Sequence, residues 1–156
     1  MDREAWSEIF ESRLPLLGHR NWVAVLDAAF PLFTSTGIEA LYTGEDHQAV
    51  LSLVTDRISR APHVAAAPLV AEELRWVESP MASAVLSALG EPRSMSHADI
   101  LETLDEVSRR YRILALKTTC TTPYTSVFFE LGCGYWSDEE EAELRRRMNP
   151  FGDERG

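Results

Sequence analysis

Cysteine is nearly absent from this chain: Cys120 and Cys133 are the only two in 156 residues. They are too few for a disulfide framework and lack the CxxC or Cys/His spacing of a metal site, so both are read as reduced thiols and no metal is expected. Positive charge is also scarce. The 15 Lys and Arg stand against 25 Asp and Glu, a net charge of -10, which argues against a phosphate-backbone ligand because nucleic-acid binding relies on a basic surface. The single basic run, Arg145-Arg146-Arg147, falls late in a segment that starts acidic, where it complements a helix dipole. No apolar run approaches membrane-spanning length, and Met1-Asp2-Arg3-Glu4-Ala5-Trp6 is charged where a secretory signal would be apolar. The expectation is a cytoplasmic protein that engages neither membrane nor nucleic acid. Phosphate-cradling glycine loops, metal-ligand clusters and nucleophile motifs are missing as well, and no cofactor is expected.

What is present is ordinary for a globular protein: 45% hydrophobic and 26% charged residues. Residues 1–150 are read as a single domain and 151–156 as a disordered tail. Trp6, Ile9 and Phe10 share one helical face in an opening helix that Pro15 and Gly18 end. A short strand follows at Val23–Leu26, and a second lies near Ile38–Thr43. Val50, Leu51, Val54 and Ile58 recur at helical spacing within a helix from Glu45 to Arg60. The alanine-rich, proline-bounded stretch His63–Val70 reads as a third strand. Ser79-Pro80 and Gly90 frame a helix with an N-cap, a proline in its first turn and a glycine stop. Ser96-His97-Ala98-Asp99 opens another, with Ile100, Leu104, Val107 and Tyr111 expected on its buried side. Two closing strands, Arg112–Thr119 and Thr125–Leu131, flank a proline turn. Ser137-Asp138-Glu139-Glu140 is a capping-box pattern for a last helix stopped by Asn149-Pro150. Alternating strands and helices predict a three-layer α/β/α sandwich with a central, largely buried sheet and a C-terminal helix as an extension.

The most informative stretch is Leu17 to Pro31. Val23, Ala24, Val25 and Leu26 do not alternate polar with apolar, as in a strand buried on both faces. The polar groups at its two ends, His19 in a glycine turn and Asp27 before small residues, are those free to act. An imidazole and a carboxylate suit proton transfer. Equally, His19 can cap the preceding helix and Asp27 can begin a turn.

The pattern Leu17-Gly18-His19 followed by Asp27-Ala28 and Pro31 resembles the signature of the D-ribose pyranase and L-fucose mutarotase (RbsD/FucU) family. Gly37-Ile38-Glu39-Ala40-Leu41-Tyr42-Thr43-Gly44 resembles the family's next strand. Ala115 to Phe129, with Tyr124 followed two residues later by a polar side chain, resembles its closing pair of strands. The resemblance implies an RbsD-like fold and a cofactor-free isomerase that interconverts ring forms of a monosaccharide. One group takes the anomeric hydroxyl proton, another protonates the ring oxygen, and the ring recloses with the roles reversed. It makes His19 the leading acid/base, Asp27 its orienting partner or a ligand to sugar hydroxyls, and Tyr124 a hydrogen-bonding group at the ring or anomeric oxygen. Ser126, where the pyranase branch usually carries asparagine, Lys117 and His97 complete the implied substrate contacts.

Each of these residues also has a plain structural reading: a packed tyrosine ring, a snorkelling lysine, a histidine at a helix start. Thr119-Cys120 stands where the family often has Gly-Glu, which removes a carboxylate. His47 and His63 sit in no motif and are read as structural. If residues 20–27 are fully extended, His19 and Asp27 lie roughly 25 Å apart at about 3.3 Å per residue. Either the Arg20-Asn21-Trp22 segment folds back or a neighbouring subunit completes the pocket. The resemblance implies homo-oligomeric rings, a pentamer or decamer, for which Gly134-Tyr135-Trp136 offers an aromatic interface element. Two further readings stay open: a non-catalytic sugar-binding or regulatory relative, and a plain oligomeric scaffold.

Overall fold

The buried run near the start of the sequence forms an inner strand of the sheet. In the computed structural model, which describes residues 3–151, Trp22–Leu26 forms β1 and all five residues are buried. Its side chains alternate between two cores. Val23 and Val25 enter one of them, and Trp22, Ala24 and Leu26 enter the other. That is why the strand shows no polar position.

The first core is covered by α1 (Arg3–Arg13), α2 (His47–Arg60) and α3 (Pro80–Leu89), through Trp6, Phe10, Val50, Val54, Ala82 and Val85. The second is covered by α4 (His97–Ser108), which contributes Ile100 and Leu104, and by Phe30 from the loop after β1. Helices on both faces make the three layers expected.

The other strands are β2 (Ile38–Tyr42), β3 (Val64–Ala71), β4 (Arg93–Met95), β5 (Ile113–Lys117) and β6 (Val127–Cys133), in spatial order β2-β5-β1-β6-β3-β4. β5 is parallel to both β1 and β2, and β3 is parallel to β4. β6 runs antiparallel to its neighbours β1 and β3. The five other strands therefore all point one way. The segments that follow β1, β4 and β5 meet the segment that precedes β6 at a single end of the sheet, the end where parallel α/β sheets place their ligands.

Local sequence chemistry sets the boundaries. Asp46 caps α2 by accepting the Ala49 N–H at 2.9 Å, and Ser79 caps α3 by accepting that of Ala82 at 3.1 Å. Each such cap contributes on the order of 1 kcal/mol. The last helix, α5 (Asp138–Met148), has the full capping box between Ser137 and Glu140. Its arginines pair with its own acids, Arg145 with Glu141 and both Arg146 and Arg147 with Glu143. No residue of α5 is buried, so it stands as an addition to the sandwich.

Some details differ from the sequence reading. Tyr111 is not on a buried helical face: α4 ends at Ser108, and Tyr111 lies exposed beneath the Arg20 guanidinium, 5.9 Å from its ring centroid. β4 escaped the sequence reading because three residues, two of them polar and exposed, carry no periodicity. Residues 152–156 of the expected tail lie outside the described residues.

Candidate functional site

Asp27, His97 and Tyr124 line one cavity of about 290 Å³, together with Ala28 to Pro31, Thr121 and Pro123. This is close to the lower end of small-molecule pockets, about 300 Å³. The sheet explains the convergence. Asp27 is the first residue beyond β1, His97 the first of α4 just after β4, and Tyr124 lies three residues before β6.

Each side chain is held from behind. The Ser126 hydroxyl donates a short hydrogen bond to the Asp27 carboxylate and accepts the Asp27 backbone N–H at 2.9 Å. His97 is at the open first turn of α4, where its N–H would lack a helical partner. Glu73 accepts it with both carboxylate oxygens, at 3.0 and 3.2 Å. The His97 ring stands edge-on to Phe30 at 5.9 Å and to Tyr124 at 5.4 Å. Those contacts fix its plane, while neither ring nitrogen takes a hydrogen bond from the described residues. Tyr124 has φ of 62°, a left-handed conformation that a residue with a Cβ adopts only where its surroundings hold it. The residue is 37% exposed and lines the cavity.

The other expected residues lie elsewhere. Ser126 does not line the cavity. It is 3% exposed and spends its short side chain on Asp27, so it orients the carboxylate. Lys117 also turns away. Its ammonium donates to the carbonyls of Ala28 at 3.3 Å and Phe30 at 2.5 Å, bracing the loop after Asp27. It borders a separate apolar cavity of about 230 Å³, lined by Leu26, Phe33, Ile38, Ala40 and Tyr42 among others.

His19 is exposed in the turn before β1, at the opposite end of that strand from Asp27. β1 is extended from Trp22 onward, so the fold-back that would have joined the two residues within one chain does not occur. His19 has no bonding partner among the described residues.

Behind the cavity lies His47, fully buried, with its pKa pushed below the ordinary 6.5 by burial. The bond to the Thr125 backbone and the negative charges of Asp27 and Asp46 oppose that shift. His63 is structural, its Nε2 3.0 Å from the Leu14 carbonyl. Among the described residues no three His, Cys, Asp or Glu side chains cluster as metal ligands, and no helix is long and apolar enough to cross a membrane.

Chemically, the cavity offers a carboxylate acceptor, an imidazole and a phenol that can donate or accept. That set can hold several hydroxyl groups at once and can exchange protons with them. The sequence signal that most undersold the site is His97. A histidine one residue after an N-cap serine looks like a surface residue until the strand order brings α4's first turn to the ends of β1 and β5.

No protein-family model and no curated protein matches the sequence. Solved structures do match the fold. RbsD from Bacillus subtilis, complexed with D-ribose, superposes with a TM-score of 0.58 at 17% identity, covering 79% of this chain and 90% of that one. A fucose mutarotase from Streptococcus pneumoniae in complex with L-fucose gives 0.54 at 15%, over 78% and 89%. FucU from Bifidobacterium longum gives 0.52 at 14%, over 81% and 94%. The chain thus has the α/β fold of RbsD and of fucose mutarotase, the fold that its sequence resemblance implied.

Proposed function

We propose that this protein is a monosaccharide mutarotase or pyranase that opens and recloses the sugar ring by general acid/base catalysis. The observation that carries the reading is the convergence of Asp27, His97 and Tyr124 on one cavity, in a fold whose relatives were crystallised with D-ribose and L-fucose. In this reading the Asp27 carboxylate, aimed by Ser126, takes the proton of the anomeric hydroxyl. An imidazolium donates a proton to the ring oxygen as the bond between it and the anomeric carbon breaks. Reclosure of the resulting carbonyl compound, from either face or by another hydroxyl, returns both protons. Tyr124 and His97 hold the remaining hydroxyls and the ring oxygen.

In this reading the donor is His19, and because it lies at the far end of β1 from its own Asp27, it is taken to come from a second copy. The functional form is then a cytoplasmic homo-oligomer, a pentamer or decamer, in which one chain's β1 turn closes its neighbour's cavity. The His19 imidazole, exposed and without a bonding partner among the described residues, supports this assignment.

A second reading, a sugar-binding or regulatory protein without catalysis, has one observation in its favour. Cys120, where the resembling family often has glutamate, is buried, with its thiol on the Thr125 hydroxyl at 3.3 Å, so that turn supplies no carboxylate.

Magnetisation-transfer NMR on a panel of ribose, fucose, galactose and related sugars separates the two. Faster exchange between ring forms of at least one sugar supports the enzyme. A sugar that binds with unchanged exchange would replace it with the binding protein, and a panel that neither binds nor exchanges would reject both.

A further inference from the structure

We infer that His47 is a positioning residue of this site, one that ties together the two backbone segments carrying Asp27 and Tyr124 and so sets how tightly the cavity holds its ligand; the inference rests on the cavity's being the sugar site. His47 is the first residue of α2, fully buried and not itself part of the cavity lining. Its ring lies between the two segments. Nε2 is 2.7 Å from the carbonyl oxygen of Thr125, the residue between Tyr124 and Ser126. A carbonyl only accepts, so Nε2 carries the proton. Nδ1 is 3.0 Å from the Thr118 hydroxyl, which also lies 2.9 Å from the carbonyl of Leu26, the residue before Asp27. The hydroxyl has one proton to give, to Nδ1 or to that carbonyl; in either case the Thr118 N–H, 2.8 Å from the Leu26 carbonyl, ties Thr118 to the end of β1.

One neutral imidazole thus spans from the end of β1, through Thr118, to the turn that presents Tyr124. The span matters because Tyr124 is the residue held at φ of 62°. The Thr125 side chain is anchored separately, by donation to the Thr122 carbonyl at 2.8 Å. The Thr125 backbone carbonyl, one residue after Tyr124, accepts from the His47 ring. Without that donor a buried carbonyl would be unpaired and the strained turn would lose the bond that orients it.

The test compares His47→Gln, whose amide nitrogen can replace Nε2, with His47→Asn, which reaches only toward Thr118, and His47→Phe, which keeps the ring and neither bond. Sugar affinity, KM and kcat, the Tyr124 and His97 ring resonances and urea stability are measured on each full-length variant. The expected result is near-native affinity for His47→Gln and about a tenfold weakening for the other two, the loss expected for one positioned hydrogen bond. KM should move more than kcat, and the Tyr124 resonances should shift even without sugar. Nitrogen NMR of the unmodified protein should show the Nε2–H tautomer. An Nδ1–H tautomer would overturn the inference, even where a variant fails to fold. Losses in all three variants that follow stability alone, or a His47→Phe protein with native affinity and unmoved Tyr124 signals, would also overturn it. Should the unmodified protein bind no sugar, the functional reading fails, and the tautomer and the Tyr124 resonances still decide the role of His47.

Discussion

Replacing Ser126 with alanine probes the cavity from behind, and the structure sets the size of the effect. The hydroxyl accepts the Asp27 N–H at 2.9 Å and donates to the Asp27 carboxylate, and the residue is 3% exposed. Alanine fits the same space, so the loss is one of hydrogen bonding and not of packing. An N–H left without an acceptor where water has little access costs about 1–3 kcal/mol. The half-buried carboxylate regains water on its open side and adds less, about 0.5–1 kcal/mol at the low end of a typical hydrogen bond. The expected sum is about 1.5–4 kcal/mol, read as a lower urea midpoint at unchanged m-value. The same variant frees the carboxylate to turn, so sugar affinity should fall together with stability. A stability change below about 0.5 kcal/mol, the range of an uninvolved surface position, with unaltered sugar affinity, would refute the claim that Ser126 aims Asp27.

Gly37→Ala would place a Cβ 1.7 Å from the Ser108 carbonyl oxygen, whereas a Cβ at Gly18 meets nothing within 4 Å. The first should lower the melting temperature by several degrees, with overpacking costing about 1–3 kcal/mol or more where backbone must move, and the second should leave it nearly unchanged; equal effects in thermal melts would contradict the packing described. Because burial lowers the His47 pKa from 6.5, the unfolded chain takes up a proton before the folded one does. The stability contributed by this residue should therefore be complete above pH 6.5 and decline as pH falls from there through the lowered folded value. Melting temperature against pH should show that decline in the unmodified protein and lose it in His47→Gln. His19→Ala should reduce ring exchange by a factor on the order of 10² to 10⁴, the usual contribution of one acid/base group, with sugar binding still detectable by titration; full retention of rate would remove His19 from the mechanism.

Much of the fold is legible in the sequence because its signals are local. The unbroken apolar run of β1 announces a central strand, and Ser79-Pro80 with Gly90 announces α3 at both ends. The Ser137 capping box announces α5. The site is less legible because it is assembled by topology. Asp27 and Tyr124 are recognisable from their motifs, yet His97 joins them only because β4, three residues long and silent in the sequence, delivers α4 to the same sheet end. Ser126 and Lys117 occupy the right neighbourhood but face backbone and carboxylate partners, which no spacing rule encodes. His47 stands 71 residues from Thr118 and 78 from Thr125 in the chain. Its importance depends on hydrogen bonds that only the packed structure brings together.

The most direct test of the account is the exchange rate between the ring forms of the best-bound sugar, measured by magnetisation transfer for the unmodified protein and Asp27→Asn under identical conditions. The account predicts clear acceleration by the first and exchange near the uncatalysed background for the second, with the variant folded and assembled as before. Equal acceleration by both would contradict it.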